Sequence, residues 1–153
     1  MNMIAKFLDP SAVCLNLEVE DGQEVIHCLA DKLHTAGYVK DSFAQAALDR
    51  EAVLPTGLPL LGNINAAIPH TDIEHVFKPG LAMATLASPV TFQNMVMPEE
   101  AVPVRLVFLL ALDQPKAQIE MLQEIAAVLQ NESVVKNLIS ATCVQDVMQA
   151  LAV

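Results

Sequence analysis

His70 follows a short apolar run, Ala66-Ala67-Ile68, and a proline, Pro69, with a loop dotted with Gly and Asn before it and Arg50 twenty residues upstream. A neutral imidazole, with a reference pKa of roughly 6.5, is a nucleophile toward phosphorus near neutral pH. The P–N bond it forms is labile enough to pass the group onward. Such chemistry needs one ring nitrogen exposed and the other held by a hydrogen bond that fixes the tautomer. It also needs donors for the phosphoryl oxygens, because positioning and charge stabilisation dominate phosphoryl transfer. Arg50 offers a bidentate guanidinium, and Thr56, Thr71 and loop N–H groups offer further donors. Pro69 restricts the turn that presents the ring.

Each of these residues also has a plainer reading. His70 is then a surface loop residue, Arg50 the solvated end of a helix paired with Asp49 or Glu51, and His27 and His34 structural residues beside an apolar stripe. His70 and His75, with Asp72 and Glu74 between them, make a poor metal site: zinc sites draw three or four protein ligands, and the other histidines fall on a distant helix.

The elements that must position these residues read as strands interleaved with helices. Val13, Leu15, Leu17 and Val19 alternate with Cys14, Asn16 and Glu18, which predicts a half-buried strand over 13–19. Asp21 and Glu24 form a capping-box pattern opening a helix with Val25, Leu29 and Leu33 on one face, and Gly37 is placed to end it. Asp41 and Ser42 offer caps for a second helix through Phe43, Ala46, Ala47 and Arg50, which Pro55-Thr56-Gly57 breaks. Strands are expected at Ala66–Ile68, at Leu81–Ala87 between Pro79-Gly80 and Ser88-Pro89, and at Val104–Leu112. The last third predicts three helices. The first is opened by Asp113 and Pro115, with Ile119, Leu122, Ile125 and Leu129 inward; the second is capped by Asn131; the third is opened by a Thr142/Gln145 box, with Val147, Met148 and Leu151 inward. This alternation predicts one α/β domain over residues 1–153, a mixed sheet covered by helices, with its site where loops leave strand ends.

The chain has 153 residues, enough for one core burying roughly 68–70% of the unfolded surface. Apolar residues make up 54% of it, yet no run approaches the ~20 residues of a membrane span, and the start of the chain lacks the pattern of a secretion signal. Three scattered cysteines, Cys14, Cys28 and Cys143, fit buried thiols in a reducing cytosol better than disulfides or zinc. A net charge of −10 repels phosphate backbones, which disfavours nucleic acid as a partner and would steer a basic protein toward the surface; solubility alone also accounts for it.

Arg50–Gly57, R-E-x-x-x-P-T-G, followed by A-A-I-P-H at Ala66–His70, resembles the enzyme IIA domains of the bacterial sugar phosphotransferase system, in the fructose–mannitol class. The resemblance covers nearly the whole chain. It implies a mixed-sheet α/β sandwich in which His70 accepts phosphoryl from the phosphohistidine of the carrier HPr and gives it to a cysteine on a IIB partner that serves a membrane IIC component. The resemblance also implies that no metal, nucleotide or other cofactor takes part. Arg50 corresponds to an arginine near the phosphorylated histidine of relatives. Many relatives carry a second histidine where this chain has Gln118, which can still donate to a phosphoryl oxygen but carries no positive charge, and Asn65-Ala66 and Thr71 replace a Gly-Ile pair and a glycine. With the P-T-G turn and His75, these departures look most like the galactitol-type branch, in which His75 would replace the missing histidine. The resemblance therefore implies a cytoplasmic phosphocarrier for galactitol or a related sugar alcohol or pentitol. A nitrogen-type regulatory phosphocarrier and a non-enzymatic binding domain are the alternatives. Leu58, Leu60 and Ile73 are the expected apolar docking residues around His70. A IIB role does not fit, because Cys14 lies within a strand pattern rather than in a Gly/Ser-rich loop after it.

Overall fold

The computed structural model describes residues 3–152; Met1, Asn2 and Val153, the ends of the expected domain, lie outside the described residues. Five strands form one mixed sheet: β1 (Leu8–Leu17), β2 (Gly57–Leu58), β3 (Asn65–Ala67), β4 (Gly80–Gln93) and β5 (Ala101–Ala111). Their spatial order is β1-β4-β5-β3-β2. β1 runs parallel to β4 and β3 parallel to β5, whereas β4 pairs antiparallel with β5 and β2 with β3.

Helices cover both faces. On one side α2 (Gly22–Thr35) and α3 (Phe43–Val53) pack Val25, Leu29, Leu33, Phe43 and Ala47 against Ala82, Ala84, Val107 and Leu109 of the sheet. On the other, α1 (Met3–Phe7), α4 (Pro115–Leu129), α5 (Glu132–Ser140) and α6 (Val144–Leu151) pack Ile4, Met121, Ile125, Leu138 and Val147 against Leu81, Met83, Leu106 and Phe108. Alternate residues of β4 and β5 thus feed two separate cores, which is why both strands read as continuous apolar runs.

Local signals explain both ends of α2. Asp21 caps α2 by accepting the Glu24 N–H at 2.9 Å, and Glu24 reaches back to the Glu20 N–H rather than to the cap itself. Gly37, at φ +87, closes the helix: its N–H bonds the His34 carbonyl and the Tyr38 N–H bonds the Leu33 carbonyl, the paired pattern of a left-handed C-terminal cap.

Several expectations are corrected. The first strand begins five residues earlier, at Leu8, after a short helix that the sequence did not announce. Its alternation also breaks: Val13 and Leu15 face one core, whereas Leu17 and Val19 join Cys14 at the other. The cause is Asn16, at φ +53, whose N–H bonds the Thr85 hydroxyl at a register shift. β4 runs on through Ser88-Pro89, because a bulge sets Leu86–Pro89 opposite Arg105 alone and Arg105 Nε donates to the Leu86 carbonyl. In α4, Met121 rather than Ile119 is buried, and Ile119 is exposed. α6 is opened by Cys143, with Asp146 rather than Gln145 reaching back to Thr142.

Gly57 permits the β2–β3 ribbon to lie against the end of β4. A Cβ there would stand 2.6 Å from the Gln93 carbonyl oxygen, a backbone atom that cannot swing away. We predict that Gly57→Ala costs about 1–3 kcal/mol of stability, read as a lower urea midpoint. An unchanged midpoint would show that the ribbon moves freely.

Candidate functional site

His70 stands beyond β3, at the sheet end where β5 finishes and β4 begins, between the two helical layers. The chain that carries it is fixed at every step. The Ile68 N–H donates to the Thr56 carbonyl at 3.4 Å, and the Leu110 N–H donates to the Pro69 carbonyl at 3.1 Å. Gln118 Nε2, from α4, donates to the Thr71 carbonyl at 2.9 Å. The ring folds back so that Nδ1 lies 2.9 Å from the Ile68 carbonyl oxygen.

A carbonyl only accepts, so Nδ1 carries the hydrogen and Nε2 carries the lone pair. Nε2 makes no hydrogen bond among the described residues, and the side chain is partly exposed. Burial pulls the His70 pKa below the ordinary histidine value; the Ile68 hydrogen bond opposes this, Arg50 adds to it and Asp72 opposes it. Burial therefore favours the neutral ring, whose Nε2 keeps its lone pair.

Arg50 comes from the last turn of α3, in the opposite layer from Gln118. Its Nη1 donates to Asp72 Oδ1 at 3.3 Å, so its partner is neither Asp49 nor Glu51. Its Nε is buried without a hydrogen-bond partner among the described residues. A buried guanidinium nitrogen left unpaired is an unmet demand for an acceptor, and Arg50 lies within electrostatic reach of the His70 ring.

The remaining expected site residues fall into two groups. His75 shares an open groove with Arg50, Thr71, Asp72 and Ser42; its Nδ1 is 2.8 Å from Ser42 Oγ and its Nε2 is 3.7 Å from Glu74. Thr56, Thr71 and Gln118 serve the backbone that carries the ring: Thr71 is buried and held by Gln118, and the Thr56 N–H and hydroxyl both donate to the Glu51 carboxylate at 2.7 Å. Leu58 and Leu60 pack toward the core, whereas Val53 at the end of α3, Leu54 just after it and Ile119 of α4 are exposed apolar residues. Among the described residues no three His, Cys, Asp or Glu side chains gather as metal ligands, and no helix is long and apolar enough to cross a membrane. Cys14 lies half-buried in β1, where burial pushes its thiol up and away from the reactive thiolate.

Sequence reading missed Glu51, Asp72 and Ser42. Glu51 follows Arg50 directly and its partner lies five residues on, a spacing that no helical or turn rule singles out. Asp72 was visible only as a possible metal ligand.

The family model for "Phosphoenolpyruvate-dependent sugar phosphotransferase system, EIIA 2" matches residues 6–153. The chain belongs to this EIIA family. It is accordingly a phosphotransferase component with the EIIA phosphocarrier fold. Among relatives, the galactitol-specific EIIA component of Escherichia coli K12 is 30% identical over 120 residues, 78% of this chain and 79% of that protein. The crystal structure of the mannitol IIA of Escherichia coli superposes with a TM-score of 0.78 at 30% identity, covering 95% of this EIIA chain and 99% of that one. A complex of that mannitol IIA with phosphorylated mannitol IIB matches at a TM-score of 0.76 and 28% identity, over 95% and 96% of the two chains. The expected mixed-sheet sandwich and its family are thus both established.

Glu51 gives this EIIA a measurable pH signature. Burial raises its pKa from 4.5 to about 6, with the Thr56 hydrogen bonds opposing. The folded state therefore binds this proton more tightly than the unfolded chain. The group's contribution to stability is full below 4.5 and falls away as pH rises through about 6. In Glu51→Gln the difference in stability between pH 4.5 and pH 7 should shift from wild type by about 2 kcal/mol at most, measured by urea unfolding. Parallel pH profiles for the two proteins would contradict this.

Proposed function

We propose that residues 1–153 act as one EIIA domain that accepts a phosphoryl group on His70 Nε2 from phospho-HPr and passes it to a cysteine of a IIB partner. A membrane IIC component would stand downstream. The observation that carries this reading is the Nδ1–Ile68 hydrogen bond, which leaves Nε2 as the free lone pair, with Arg50, whose Nε is unpaired, within electrostatic reach of the ring.

The Nε2 lone pair attacks phosphorus in line as the donor's P–N bond breaks, and that electron pair returns to the donor imidazole. His70 keeps its Nδ1 proton throughout. The Ile68 carbonyl stabilises the positive charge that develops on the ring during attack. Arg50 turns its unpaired Nε and fork toward the phosphoryl oxygens. Transfer to a IIB thiolate reverses these steps and restores the same tautomer. His75, across the groove, contributes a further polar group near the incoming phosphoryl, while Gln118, Thr71 and Thr56 keep the strand end from shifting. No cofactor or metal is needed, because the transferred group meets its nucleophile and its charge partner in one place.

The 30% identity with a galactitol-specific component supports galactitol or a related sugar alcohol as the transported class. Work of this kind belongs in the cytoplasm. A surface with a net charge of −10 suits brief contact with a basic carrier, with Val53, Leu54 and Ile119 as apolar anchors.

Incubation with enzyme I, HPr and labelled phosphoenolpyruvate tests the proposal. Wild type should acquire one acid-labile phosphate, His70→Gln should acquire none, and Arg50→Ala should slow transfer by roughly 10²–10³-fold, the effect of losing one preorganised donor. Label retained by His70→Gln would move the acceptor elsewhere. Phosphate that never passes to a galactitol-type IIB would favour a regulatory role.

A further inference from the structure

Asp72 is a carboxylate placed where an acceptor of phosphoryl groups should least tolerate one. It lies two residues after His70, and its Oδ1 takes the guanidinium nitrogen Nη1 of Arg50 at 3.3 Å. It stands at the start of the 3₁₀ turn Ile73–His75 yet makes no side-chain capping bond, so its carboxylate does nothing for that turn. Its backbone is nevertheless held: Thr71 before it is buried and tied to Gln118, and the Asp72 carbonyl accepts the His75 N–H at 3.4 Å. The side chain is 68% exposed, and an ion pair so exposed is weak.

We infer that Asp72 tunes the phosphoryl-transfer potential of His70, neutralising Arg50 before phosphorylation and repelling the phosphoryl group afterwards. The inference rests on the reading of His70 as the phosphoryl acceptor. Before transfer, Asp72 and Arg50 cancel, and the guanidinium is kept beside the ring. A phosphoryl group brings a charge near −2 and three acceptor oxygens, so it displaces a single exposed carboxylate from Arg50. Asp72 then has no cation of its own and stands close to an anion of like sign. The phosphorylated state is raised in energy while the unphosphorylated state is lowered by the ion pair. Both effects make phospho-His70 a better donor to the next acceptor. A relay station gains from this, since a group bound too tightly would not move on. The same carboxylate and the same arginine act oppositely on the charge of the His70 ring, which shows that both lie within electrostatic reach of it.

The test is the equilibrium distribution of phosphoryl between HPr and this protein, read by phosphoprotein gels or ³¹P NMR. Asp72→Asn should shift it about fivefold toward phospho-His70 and slow onward transfer to the IIB cysteine. The shift should shrink in 1 M salt, where the Debye length is about 3 Å. Asp72→Ser guards against an asparagine that rebuilds the bond to Arg50, and should give the same direction. Glu99→Gln, which removes an exposed carboxylate in the turn between β4 and β5 at the opposite end of the sheet, should leave the distribution unchanged. A distribution that is unmoved in both Asp72 variants, or shifted toward phospho-HPr, overturns the inference; the latter would make Asp72 a residue that orients Arg50 for attack. If neither wild type nor variant takes label on His70, the reading of the acceptor itself falls.

Discussion

The 2.9 Å hydrogen bond from His70 Nδ1 to the Ile68 carbonyl decides which end of the imidazole can react. Because the acceptor is backbone, two residues away, it does not swing or titrate, and it holds only while Ile68 itself stays in place. The structure secures Ile68 from several directions. Its N–H is bonded to Thr56, its side chain is buried in the core beneath α4, and the next carbonyl, that of Pro69, is held by Leu110 of β5. A rotation of any of these would turn the ring or swap its tautomer. The buried β3–β5 pairing therefore serves as a clamp on one carbonyl oxygen.

Placing this carbonyl at the sheet end has a second consequence. The helices on the two faces of the sheet reach the same point from opposite sides, α3 with Arg50 and α4 with Gln118. They divide the work: α4 fixes the backbone through Thr71, whereas α3 brings the charge. Glu51 extends the clamp by tying the helical turn that carries Arg50 to Thr56, whose carbonyl receives the Ile68 N–H. The nucleophile and the helical turn that bears the cation are in this way connected through a short path of hydrogen bonds.

Much of this was legible in sequence because it rests on local rules. The apolar strands at Leu81 and Val104, the Asp21 cap, the Gly37 stop and the strand-end Pro69-His70 all announce themselves within a few residues. Bulges were not legible. Asn16 reverses the alternation of β1, and β4 passes through Pro89, because contacts with Thr85 and Arg105, distant in sequence, override the local pattern. Partners of charged groups were equally hidden. Arg50 pairs with Asp72 across 22 positions, and Thr56 and Gln118, expected to face the phosphoryl group, spend their donors on Glu51 and on Thr71. Residue type indicated the chemistry, but the sheet decides which donor meets which acceptor.

The central claim is that His70 presents Nε2 as its free nitrogen. Long-range ¹H–¹⁵N NMR of the imidazole in the unphosphorylated protein at neutral pH tests it directly. A protonated Nδ1 beside an unprotonated Nε2, with phosphorylation appearing on Nε2, is the predicted result. A ring protonated on Nε2, or one exchanging freely between tautomers, would contradict it.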